Sequence, residues 1–92
     1  MDYKGMTKLI IKGVGGRRNI KSINYCTLRL RLQLKDESKI DFEYLNQIEG
    51  VTAAFMRGED LQVFPRKDMD TEEIYERFMS VSLWKRLVGS FI

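Results

Sequence analysis

Ninety-two residues leave room for one compact unit at roughly 100 to 200 residues per domain, and 43% hydrophobic with 32% charged residues is the balance of an ordinary globular domain with one modest core. The chain has no histidine and one cysteine. That excludes Ser-His-Asp and Cys-His nucleophile pairs, histidine zinc sites, an imidazole acid or base, an internal disulfide and a cysteine zinc cluster. The formal charge of +3, from 16 basic and 13 acidic residues, is spread without single-sign blocks, and no apolar run approaches the ~20 residues of a bilayer span. Nothing reads as a signal peptide, so the cytoplasm is the expected location. No linker or internal repeat stands out.

In chain order, Tyr3, Met6, Ile10 and Val14 recur at offsets of three and four, which predicts an amphipathic helix stopped by Gly15 and Gly16. The run Leu9-Ile10-Ile11 leaves a short strand as the competing reading. From Lys21 to Tyr25 the apolar residues are odd-numbered, whereas Leu28, Leu30, Leu32 and Leu34 are even-numbered. Strand side chains alternate faces, so the change of parity predicts two strands with Cys26 and Thr27 at the turn and Leu28 inside the core stripe. The second strand's other face then carries Arg29, Arg31, Gln33 and Lys35. Asp36 to Lys39 reads as a loop, and Asp41 as the cap of a short helix with Phe42, Leu45 and Ile48 on one side, stopped by Gly50. Val51 to Met56 and Leu61 to Phe64 are strand-like, joined by Arg57 to Asp60 and closed by Pro65. Asp70 and Glu73 predict a capping box for a last helix that buries Ile74, Phe78 and Val81. The expected fold is α+β in the order αββαββα: a four-stranded antiparallel sheet with three helices on one face.

Cys26 carries the chemistry. A thiolate is a strong nucleophile, and a neighbouring guanidinium favours it. Arginine forks and a hydroxyl suit the oxygens of a phosphoryl group on sulfur, and Arg29, Arg31 and Thr27 supply them. The plainer alternative is a small buried residue with solvating arginines. Gly13 to Arg18 lacks the spacing of a phosphate loop. Asp36, Asp41, Glu43, Glu59 and Asp60 fit capping and solvation better than a metal or glycosidase pair, and the scattered methionines fit a core.

Gly15-Gly16-Arg17-Arg18-Asn19-Ile20, five residues, Cys26, then Arg29-Leu30-Arg31 resembles the signature of the enzyme IIB domain of glucose- and sucrose-type phosphoenolpyruvate-dependent sugar phosphotransferase systems. That signature reads Gly-Gly-x-x-Asn-Ile, five residues, Cys-x-Thr-Arg-Leu-Arg. Further blocks agree at Asp36 to Asp41, Leu45, Gly50-Val51 and Gln62-Val63, so the resemblance runs from Val14 to Phe78. It implies the same sheet and helices, and a phosphocysteine at Cys26 that is loaded by the phosphohistidine of a IIA partner and discharged to a sugar held by the membrane-embedded IIC. It also implies that Arg29 and Arg31 serve the transfer and that Gln62 lies near the phosphocysteine. It calls for no cofactor, metal or nucleic acid, and IIC would hold the domain at the inner face of the plasma membrane. Leu28 replaces the signature's threonine, whose role Thr27 would then take, and Pro65-Arg66 replace a glycine after the fourth strand. On this reading residues 1–82 form the phosphotransfer domain and 83–92 an extension or linker that packs on the domain or on a second chain, or lies at a membrane. The alternative is a IIB-like binding or regulatory module without transfer.

Overall fold

The computed structural model describes residues 3–81. Three helices, α1 (Tyr3–Gly13), α2 (Phe42–Gln47) and α3 (Thr71–Val81), and four strands, β1 (Ile20–Cys26), β2 (Arg29–Leu34), β3 (Val51–Arg57) and β4 (Asp60–Pro65), follow one another in the expected order, with short 3-10 turns at Arg17–Asn19 and Glu37–Lys39. The sheet runs β1-β2-β4-β3, and every neighbouring pair is antiparallel. The helices share the face that carries Leu30, Leu32, Leu61 and Val63, all buried, together with Ile10, Leu45, Ile74 and Phe78. None of the helices is long and apolar enough to cross a membrane, among the described residues. The stretch 83–92 lies outside those residues.

The helix reading of the first segment holds over the strand. Met6, Ile10 and Val14 are buried, with Thr7 and Ile11 beside them. The helix then ends in a Schellman motif: Gly15 N–H donates to Lys12 O and Gly16 N–H to Ile11 O, with Gly15 at φ 95°, a conformation that glycine adopts without strain. A side chain at Gly15 would also meet Cβ of Lys39 at 2.7 Å. Asn19 is the staple behind this end. Its amide donates to the carbonyls of Val14 (2.8 Å) and Asp36 (2.9 Å) and accepts from Asp36 N–H (2.8 Å), fastening the exit of α1 to the exit of β2.

The first hairpin corrects the expected turn. Tyr25 pairs with Leu30 and Cys26 with Arg29, so the connection is Thr27-Leu28 and Cys26 is the last residue of β1. A two-residue connection itself makes partners odd and even, which is why the parity changes. Leu28 accordingly leaves the core stripe and is 64% exposed. Phe42 also turns outward, whereas Leu45 and Ile48 are buried as expected. Asn46, on α2, donates to Ala54 O (3.0 Å) and accepts from Ala54 N–H (3.0 Å), occupying the free edge of β3.

The capping box is half formed. Asp70 Oδ1 accepts from the N–H groups of Glu72 (3.0 Å) and Glu73 (3.4 Å). The Asp70 N–H, however, donates to the hydroxyl of Tyr3 at 3.0 Å, and the Glu73 carboxylate accepts from Arg77 one turn along. A capping box needs that glutamate to reach back, and here α1 supplies the acceptor instead. Ile74 and Phe78 are fully buried.

Candidate functional site

The register of the sheet assembles the site on its bare face. With Tyr25, Leu30, Val63 and Ala54 turned to the helices, the alternate residues form rows on the opposite face. Cys26 pairs with Arg29, and Phe64 follows on β4. The next row is Asn24, Arg31, Gln62 and Phe55, and the third Ser22, Gln33, Asp60 and Arg57. Four of the five expected residues, Cys26, Arg29, Arg31 and Gln62, thus stand in two adjacent rows of one surface. Thr27 is exposed in the turn.

Each arginine is held differently. The Arg29 guanidinium lies 5.8 Å from the centroid of the Phe64 ring, and Phe64 stacks on Phe55 at 5.4 Å. This cation–π contact holds the Arg29 head group beside the Phe64 ring. Its Nε is buried and has no hydrogen-bond partner. Arg31 instead donates to Asp60 (3.2 Å) with its side chain 47% exposed, and Asp60 also accepts from Gln33 at 3.2 Å. Between them Gln62 is only 5% exposed, yet its Oε1 is unpartnered. A buried donor and a buried acceptor left open on neighbouring residues are costly in a finished core.

On the other side of the thiol, α3 begins. The Thr71 hydroxyl, buried, donates to Thr27 O at 3.2 Å and ties the turn to the helix. Tyr25, Cys26, Thr27, Asp70, Thr71 and Glu72 line a pocket of about 260 Å³. Tyr25 packs on Tyr75 at 4.8 Å, and burial, then the negative charges of Glu72 and Glu76, raise its phenol above the usual tyrosine range. It is therefore a neutral hydroxyl near pH 7. Cys26, half-buried, lies between an acidic, helix-side pocket and a basic, sheet-side surface. Thr71, Phe64 and Asp60 escape a reading of the sequence because their partners lie 44, 35 and 29 positions away.

The family model for the phosphotransferase system EIIB matches residues 8–41, the span that holds the α1 stop, the Asn19 staple and the Cys26 hairpin. The sucrose-specific EIIBC component of Bacillus subtilis is 44% identical over 63 residues, 68% of this chain and 14% of that protein. The chain belongs to the glucose/sucrose-type EIIB family.

A beta-glucoside-specific EIIBCA component of the same organism is 36% identical over 69 residues, 75% of this chain and 11% of that component. The trehalose-specific EIIBC component is 44% identical over 54 residues, 59% of the chain and 12% of that component. This EIIB chain thus spans about a seventh or less of the length of these relatives. The crystal structure of one domain of the PTS system IIabc component from Clostridium difficile superposes with a TM-score of 0.74, covering 86% of this chain and 81% of that one at 24% identity, a likeness of fold. Signature positions acquire physical roles in this light: Gly15 and Asn19 build the scaffold under the hairpin, while Cys26, Arg29 and Arg31 occupy its bare face. Leu28, where the signature has threonine, sits at the outer corner of the turn beside Cys26.

Proposed function

We propose that this domain is a phosphocysteine carrier of a sugar phosphotransferase system. The Cys26 thiolate attacks the phosphorus of a phosphohistidine on a IIA protein; the S–P bond forms, the N–P bond breaks and the imidazole leaves with the bonding pair. In the second step a hydroxyl of a sugar held by IIC attacks the same phosphorus, the S–P bond breaks and the thiolate is restored. The observation that carries this reading is the unpartnered, buried Nε of Arg29 on the cross-strand neighbour of Cys26. A phosphoryl oxygen is the acceptor that geometry lacks. Arg31, held by Asp60, adds a second guanidinium, the Gln62 amide turned to present its N–H gives a neutral donor, and the Thr27 hydroxyl serves in place of the missing threonine at position 28. Loading takes place in the cytoplasm, at the inner membrane face where IIC resides. The relatives' names specify sucrose, beta-glucoside or trehalose; the sugar of this system is selected by IIC.

The second reading, a binding module without transfer, draws on Leu28 and on the carboxylates of Asp70 and Glu72 along the Cys26 pocket, which oppose an added dianion. Incubation with phosphoenolpyruvate, enzyme I, HPr and a IIA protein separates the two. The carrier gains the mass of one phosphoryl group, and Cys26→Ser gains none. No gain in the parent with an active IIA overturns the carrier reading.

A further inference from the structure

The outward face of α1 has no partner among the described residues and has an unusual make-up. At 100° per residue, the buried Met6, Thr7, Ile10 and Ile11 occupy one side of the helix, and the opposite arc holds Lys4, Gly5, Lys8, Leu9 and Lys12. The three lysines are exposed and Leu9 is 42% exposed. They form a row about 12 Å long at i, i+4 and i+8. No carboxylate occurs anywhere in the helix. Lys39 extends the row, because its Cβ packs where a side chain of Gly15 would be, just past the helix end. The Lys12 ammonium lies 5.8 Å from the Tyr44 ring centroid, a cation–π contact at the edge of this face.

We propose that this face of α1 lies on an anionic lipid surface. Lysines that keep their ammonium groups at the headgroups while their stems cover apolar depth, with a leucine among them, match the boundary between phosphate and acyl chain. A nucleic acid offers phosphates but nothing to Leu9, and the arc itself carries no aromatic ring for a base to stack on, the nearby Tyr44 ring being engaged by Lys12. Docked this way, the helical layer faces the bilayer. The bare face of the sheet, with Arg29, Arg31 and Gln62, then faces the aqueous side, an arrangement that serves loading by a soluble donor and that the domain leaves for discharge to a sugar held by IIC. The inference stands on the charge and shape of α1 and goes beyond the carrier reading, since it assigns an orientation.

Co-sedimentation of the full 92-residue chain with phosphatidylcholine vesicles, with and without phosphatidylglycerol, tests it. Binding is expected only with phosphatidylglycerol and should weaken as salt screens it. Each lysine is worth about a fivefold factor near such a surface, so Lys4→Gln, Lys8→Gln and Lys12→Gln together should weaken binding about a hundredfold, with the melting temperature kept. Leu9→Ser should weaken it severalfold. Arg57→Gln, on the bare face, should not. No binding by the parent, equal binding by the triple variant, or a parent that prefers a DNA duplex or heparin regardless of Leu9→Ser overturns the proposal. Phosphorylation of the triple variant in vesicle-free solution is a separate readout. If neither parent nor variant is phosphorylated, the carrier reading fails while the vesicle result stands on its own.

Discussion

Cys26 and Arg29 face each other across the mouth of the first hairpin, as the last residue of β1 and the first of β2. Only two residues separate them, so their Cα positions are set by backbone pairing rather than by a flexible loop. Phe64, in the same row of the sheet, contacts the guanidinium. Arg29→Gln should therefore lower the rate of phosphoryl transfer in the reconstituted system at least tenfold and change stability by less than about 1 kcal/mol. Leu30→Asp, one residue along but on the helical face and fully buried, should unfold the domain, at a cost above about 4 kcal/mol. Rate measurement with parallel thermal melts distinguishes the two. An arginine variant that melts like the aspartate would invert the assignment of faces.

Leu28→Thr restores the signature residue at an exposed corner. Since Leu28 contributes nothing to the core, stability should change by no more than about 0.5 kcal/mol. Any change in phosphorylation rate then reports the hydroxyl directly. A several-fold gain would show that Thr27 does not replace it; an unchanged rate would show that it does.

Asn19→Ala leaves the Val14 carbonyl and the Asp36 N–H without these partners, and the Asp36 carbonyl with only the Lys39 N–H, between the end of α1 and the end of β2. A loss of about 3 kcal/mol is expected from denaturant titration. Asn19→Asp should cost nearly as much, because it keeps the acceptor for Asp36 N–H but loses both donors. A loss below about 1 kcal/mol in the alanine variant would remove Asn19 as the staple.

Acid sensitivity should involve Asp36. Hydrogen bonds from the Ser38 hydroxyl and then the Ser38 N–H hold its carboxyl below the usual aspartate range, with Lys39 adding to the effect. Because the folded value is the lower one, the stabilisation is present above the unfolded pKa of ~3.9 and is lost as pH falls through the folded value. Ser38→Ala removes the largest cause, so NMR titration should show the Asp36 carboxyl moving up and acid unfolding beginning at higher pH. An unmoved Asp36 signal would contradict the assignment.

Hydrophobic periodicity carries much of this architecture. Period two in β2 and the offsets of α1 and α3 each mark one buried face, and all those faces meet in one core. Local chemistry carries the helix ends, the stop at Gly15 and the start at Asp41. The Cys26 turn was legible in place but not in detail: parity tells that a hairpin intervenes, not which pair of residues forms its corner, and Leu28 was apolar enough to pass for a strand residue. Asp70 shows the same limit at the helix cap, where the acceptor for its N–H comes from Tyr3, 67 positions away. The site's chemistry was visible at Cys26, Arg29 and Arg31 because they are neighbours in sequence. Phe64 and Thr71 were not, since what they do depends on register and packing between elements.

The bond from Thr71 to Thr27 gives α3 a direction with respect to the thiol. Its first turn touches the reactive hairpin, and its last residue, Val81, lies about 15 Å from Thr71 along the axis. Val81 therefore stands at the pole of α3 remote from Cys26. The helix keeps its far end and the thiol-bearing hairpin apart by its own rigid length.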